Sequence, residues 1–225
     1  MKKIIAISLV AVSFAATSAF GQGYFQFTSG KSQAYDGFTT PGVSVLGPTV
    51  NVAFLWAAAA TTPAVDAFAT RSLPTGNNTT TTAYTAAQAW TAILTGPFTL
   101  AHNSADSSLV TALTSATGVV SYNGGGGFGV LGTTDSIAYT IYEISWSSAY
   151  ATPALAAAAN GGLGSAVGWS APVQYTPVTQ TNPGIIPFTG LFPSFGTFLP
   201  IVPEPTTLAL AALGGASLLL FRRKK

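Results

Sequence analysis

His102, Ser104 and Asp106 bring an imidazole, a hydroxyl and a carboxylate within five residues of one another. A Ser-His-Asp relay needs the imidazole oriented by the carboxylate and in reach of the hydroxyl. It also needs an elbow such as G-x-S-x-G to present the serine, and the chain has none. His102 is the only histidine, so a three-histidine zinc site is excluded, and the residue is expected in a loop. Gly124, Gly126 and Gly129 satisfy G-x-G-x-x-G literally. A dinucleotide site requires a helix to open at the last glycine, so that its N–H groups meet the pyrophosphate. Here Phe128-Gly129-Val130-Leu131 reads as a strand stopped by Gly132, and the glycines are expected to form a hairpin loop. Asp135 and Glu143 are the nearest carboxylate pair in the body. Glycosidase carboxylates stand roughly 5 to 9.5 Å apart. Eight residues of straight strand span about 26 Å, too far for such a pair. No D-x-D spacing suggests calcium, and without cysteine neither a thiolate site nor a disulfide is possible. Trp56, Trp90, Trp146 and Trp169 could stack on sugar rings, but in a body this poor in other large residues most are expected in the core.

The elements that would carry these residues are mostly strands. Residues 24–28, 43–56 with a break at Gly47-Pro48, 118–122, 128–131, 137–146 and 167–175 alternate or are rich in β-branched and aromatic types. Asp36-Gly37, Pro41-Gly42, Asn123-Gly124, Asn160-Gly161 and Asn182-Pro183-Gly184 punctuate them as turns. Residues 137–146 are apolar on both faces, which suits a central strand. Two short helices are expected. One covers 85–94, with Tyr84, Ala87, Trp90 and Leu94 on one side. The other follows Thr152-Pro153 and stops at Asn160-Gly161. Residues 177–201 hold prolines at 177, 183, 187, 193 and 200 and read as a Pro-rich spacer with at most one strand near 195–199. The fold class expected is mainly β: an antiparallel β-sandwich or jelly-roll-like body with one or two short helices.

Charge is segregated. Lys2 and Lys3 lie at one end, and Arg222, Arg223, Lys224 and Lys225 at the other. Between them the body has only Lys31 and Arg71 against Asp36, Asp66, Asp106, Asp135 and Glu143. A nucleic-acid partner needs clustered cations to displace phosphate counterions, and none exist in the body. Charged residues are 6% of the chain and hydrophobic ones 48%, the reverse of a disordered composition.

The N-terminus has a basic n-region at Lys2-Lys3, an apolar run from Ile4 to Ala16, and small residues at Ala19 and Gly21. This order predicts an N-terminal signal helix, a signal peptide over 1–21 cut by signal peptidase between Gly21 and Gln22, with a cut after Ala19 as the alternative. At the other end Thr206 to Phe221 is uncharged and mostly apolar. As a C-terminal transmembrane helix, 206–221, it spans about 24 Å, and snorkelling by the basic terminus helps it cross a thicker core. Arg222, Arg223, Lys224 and Lys225 form the membrane stop on the cytoplasmic side.

Val202-Pro203-Glu204-Pro205, a short apolar helix and a basic terminus together resemble the PEP-CTERM sorting signal, over residues 202–225. The resemblance implies that Pro203, Glu204 and Pro205 are read by an exosortase, a membrane-embedded transpeptidase-like enzyme. The chain would then leave its helix for the cell surface or extracellular matrix. Two prolines around Glu204 favour extended backbone and cannot join the helix, which leaves the motif readable at the membrane face. The expected organisation is thus a signal peptide at 1–21, a β-rich extracytoplasmic domain at 22–176, a spacer at 177–201 and a sorting signal at 202–225. The expected protein is exported and non-enzymatic, with no cofactor. Transiently anchored in the inner membrane, it would reach the envelope, surface or matrix of a bacterium, in a structural or adhesive role that includes contact with extracellular polysaccharide. The alternative is a secreted carbohydrate-binding module or polysaccharide hydrolase.

Overall fold

The computed structural model describes residues 21–29, 34–36, 49–65, 85–159, 166–180, 184–192 and 195–197, and within them ten β-strands and two α-helices. The signal and tail helices expected from the sequence lie outside these residues, as do 43–48.

Two nine-residue strands form the centre, β3 (Val50–Ala58) and β7 (Tyr139–Ser147). They pair antiparallel along their whole length, from Val50 opposite Ser147 to Ala58 opposite Tyr139. Their valine, isoleucine, threonine and aromatic content suits a pleated, doubly buried surface. Each is flanked by a broken strand. β4 (Thr99–Leu100) and β5 (Thr111–Leu113) share the outer edge of β3. β8 (Val167–Trp169) and β9 (Val173–Tyr175) share the outer edge of β7. The expected strand over 167–175 is therefore split. Pro172 lies in the gap, and a proline has no N–H to give a ladder.

Period-two alternation divides the core. Val50, Val52, Phe54, Tyr139 and Ile141 face one side, while Ala53, Leu55, Ala57, Tyr142, Ile144 and Trp146 face the other. Helices α1 (Ala86–Thr95) and α2 (Pro153–Ala159) cover the second side. Thr85 and Gln88 start α1 as a capping box: Thr85 Oγ1 accepts from the Gln88 N–H at 3.2 Å, and Gln88 Oε1 accepts from the Thr85 N–H at 2.8 Å. The buried stripe of α1 is Ala86, Ala89, Trp90 and Ile93, while Leu94 stays 39% exposed. The expected stripe was thus rotated. The i, i+3, i+4, i+7 set beginning at Ala86 gives the sheet small residues to close upon. α2 begins as read, with Thr152 Oγ1 accepting from the Leu155 N–H at 3.2 Å and Pro153 at its first position.

The first side is covered by two short pairs. β1 (Tyr24–Phe25) runs antiparallel to β6 (Phe128–Gly129), and β2 (Ala34–Asp36) runs parallel to β10 (Phe195–Thr197). The fold is mainly β with antiparallel sheets and two short helices. Where a sandwich would lay a second continuous sheet, these pairs are completed by extended connections. Residues 118–122, expected as a strand, make one: the Ser29 N–H donates to the Val120 carbonyl and the Tyr122 N–H to the Phe27 carbonyl, both at 2.9 Å.

The Pro-rich stretch departs most from its sequence reading. Its described residues are part of the body. The Tyr24 N–H donates to the Val178 carbonyl at 2.9 Å, the Phe188 N–H to the Gln26 carbonyl at 3.1 Å, and the Tyr175 hydroxyl to the Ile186 carbonyl at 2.7 Å. Phe188, Phe192 and Phe195 are buried, and Phe188 sits among the rings of Phe25, Phe27, Phe54 and Tyr175 at centroid distances of 5.1–6.4 Å. Prolines remove ladder donors without preventing the residues between them from filling a core. β10 then lies close on the main sheet. Any Cβ at Gly168 would collide with the Gly196 carbonyl, and Ser145 and Thr197 join hydroxyls in the buried contact.

Candidate functional site

The His102 loop links β4 to β5. His102 bridges Leu109, and Asn103 bridges Val130. The loop closes on itself: Asn103 Oδ1 accepts from the Ala105 N–H at 2.9 Å, and the Asn103 carbonyl accepts from the Ser107 N–H at 2.8 Å. Asp106 Oδ1 accepts from the hydroxyl of Ser108 at 2.7 Å and from its N–H at 3.0 Å. These two bonds hold the Asp106 carboxyl below its ordinary value, the hydroxyl contributing most. His102 Nδ1 lies 3.0 Å from the Ser107 carbonyl, and Ser104 Oγ is packed onto Gly129. The three residues are neighbours in sequence, yet each is turned to a different partner, and no relay is assembled.

The glycine run makes one 3-10 turn, with Gly125 and Gly126 donating to the Tyr122 and Asn123 carbonyls at 2.9 and 3.0 Å. Gly124 and Gly125 have φ of 61° and 82°, a conformation that favours glycine. A strand follows, not a helix, so there is no helix N-terminus to hold a pyrophosphate.

Asp135 stands in the turn before β7, because the strand opens at Tyr139 and not at Ile137. Glu143 is wholly buried at the middle of β7, across from Phe54. Its N–H donates to Ser170 Oγ, and its carbonyl accepts from the Ser170 N–H, both at 2.9 Å. Glu143, Ser145 and Ser147 make a buried polar row on the face that β10 covers. Sequence reasoning passed over this row, although its period-two spacing was visible. Among the described residues no group of three or more His, Cys, Asp or Glu could hold a metal ion. Trp90, Trp146 and Trp169 are buried; Trp56 is half-buried, with Gly132 over its ring and Tyr139 edge-on at 5.3 Å.

What remains is the pair of processing sites expected from the sequence. Gly21 and Gln22, the residues of the expected signal cut, are at the edge of the fold. The Gly21 carbonyl accepts from the Asp135 N–H at 2.8 Å, and Gly23 is buried against Thr133 and Pro177. Pro203, Glu204, Pro205, Arg222, Arg223, Lys224 and Lys225 lie outside the described residues. Five residues separate Thr197 from Pro203, so chain length alone keeps the motif within roughly 20 Å of β10. Among the described residues no helix is long and apolar enough to cross a membrane.

No curated protein and no solved structure matches the chain. Its C-terminal residues 202–224 match the family model described as the PEP-CTERM protein-sorting motif. That motif implies export to the cell envelope or surface and processing by an exosortase, and this chain carries it at its C-terminal end.

Proposed function

We propose that the mature chain is a structural or adhesive component of a bacterial surface or extracellular matrix. In this reading a signal peptidase cuts at Gly21–Gln22, the 206–221 helix anchors the precursor, and an exosortase reads Pro203-Glu204-Pro205. The observation that carries the reading is the sorting motif at 202–224. Two further features support a non-enzymatic body. Among the described residues, three groups that could do acid–base chemistry are engaged separately: Asp106 with Ser108, His102 beside the Ser107 carbonyl, and Glu143 enclosed in the sheet. The body also has few charges, which weakens repulsion between copies and lets many weak contacts accumulate.

Replacing Glu204 with Ala and fractionating the cells tests the sorting step. The variant is expected to stay with the membrane uncut, and unchanged delivery overturns recognition of the motif. Glycan binding and light scattering of the exported protein test the role. Weak binding to many polymers with concentration-dependent association supports it. A monomer that binds no polymer overturns it.

A further inference from the structure

Signal removal at Gly21–Gln22 creates an α-amino group at a corner of the fold that already holds a carboxylate. Asp135 is half-buried, and its Oδ1 is packed so closely on the Gly21 α-carbon that any Cβ there would collide with it. Gly21 itself has φ of 72°, a left-handed conformation that brings its carbonyl to the Asp135 N–H at 2.8 Å. Among the described residues Asp135 makes no ion pair. Beyond the cut the chain is fixed at once: the Gly23 N–H donates to the Thr133 carbonyl at 3.4 Å, the Val130 N–H to the Gly23 carbonyl at 3.1 Å, and the Tyr24 N–H to the Val178 carbonyl at 2.9 Å. Gly23 has no room for a Cβ against Pro177 and Thr133.

We infer that Asp135 is the receptor for the α-ammonium group of Gln22, so that signal removal locks the start of the body in place. The inference rests on the cut-site reading given above. Hydrolysis takes up one water. The new carboxylate leaves with the signal peptide on Gly21, and the amine stays on Gln22, where it carries a proton at neutral pH. With Gly21 gone, the ammonium is one residue from the Asp135 side chain and cannot drift, because Gly23 is anchored. Little conformational freedom is lost in forming the pair, whereas the loss of such freedom is a main reason why most exposed pairs contribute so little. Thr133, Thr134 and Pro177 also line this corner and are uncharged; the nearby His102 imidazole turns to the Ser107 carbonyl. A cut after Ala19 would put the ammonium on Phe20, about 7 Å further along the chain and out of reach.

The test uses the chain from Gln22 to Lys225 in detergent, beside the same chain begun at Phe20. Isotope-labelled methyl groups on the α-amine report its titration. In the Gln22 form its pKa is expected about one unit above the ordinary 7.7–8.0, returning to that range in Asp135→Asn. Asp135→Asn is expected to lower the melting temperature of the Gln22 form by about 2–4 °C and to leave the Phe20 form unchanged. Asp135→Glu, which keeps the charge, is expected to restore most of the shift. An equal response in both forms, or an unshifted amine, overturns the pair. A Gln22 that has cyclised with loss of ammonia, and so of its charge, also overturns it. N-terminal sequencing of the exported protein separates the two levels. A chain begun at Phe20 overturns both the cut site and the pair, whereas a chain begun at Gln22 without the coupling overturns the pair alone.

Discussion

Replacing Phe188 with Ala distinguishes a spacer from a core strap. Phe188 is wholly buried, and its ring lies 5.1 Å from Phe54 and Tyr175, 5.6 Å from Phe27 and Phe192, and 6.4 Å from Phe25. Burying roughly 200 Å² of ring at about 25 cal/mol/Å² is worth about 5 kcal/mol. Phe→Ala changes in protein cores cost about 3–5 kcal/mol, because the cavity collapses only in part. A residue in a solvated linker would cost about 0.5 kcal/mol or less. The assay is urea unfolding of the exported protein, followed by tryptophan fluorescence. With a slope near 2 kcal/mol/M, the midpoint is expected to fall by roughly 2 M. Phe188→Leu, which keeps most of the volume, is expected to lose under about half of that. A fall below about 0.5 M for the Ala variant would refute the packing of residues 184–192 into the body.

Tyr175 gives a second test, in pH. Burial lifts its phenol to about 12 from 10.0, against the opposing effect of its backbone environment at Gln26. The folded state therefore holds the proton more tightly than the unfolded one, so the contribution is complete below pH 10 and is lost as pH rises through 12. By about pH 11 the loss is about 1.4 kcal/mol, and Tyr175→Phe should flatten this limb in urea midpoints measured across the range. Gly168→Ala should destabilise the fold by about 2 kcal/mol or more, because the group it meets is the backbone carbonyl of Gly196 and not a movable side chain. A melting temperature within about a degree of the parent would show that β10 is not seated on β8 as described.

The sequence announced its long elements and its caps, and lost the short ones. β7 could be read because residues 137–146 are apolar on both faces, α1 because apolar residues recur at helical spacing over 85–94, and α2 because Thr152 and Pro153 mark its start. β4, β5 and β2 are two or three residues long, and no periodicity can be measured over such a span. The strap at 184–192 was hidden by its prolines, which signal loop while Phe188 and Phe192 fill the core. At the candidate sites, the failure of the His102 trio depended on Ser108 capturing Asp106, a contact between neighbours that spacing alone does not choose. The corner at Asp135 and Gly21 joins residues more than a hundred positions apart, and only the fold brings them together.

The broken outer strands have a consequence for life among many copies. A long, regular edge offers unpaired amides to any passing extended chain, and two copies can then zip together. Here each rim of the central sheet is cut into pieces of two or three residues, by the His102 loop on one side and by Pro172 on the other. None of the four pieces offers a register that a stranger could follow for more than two or three residues. Among the described residues, the central sheet therefore gives a crowding neighbour no long edge to extend, and contact between copies through that sheet is left to side chains.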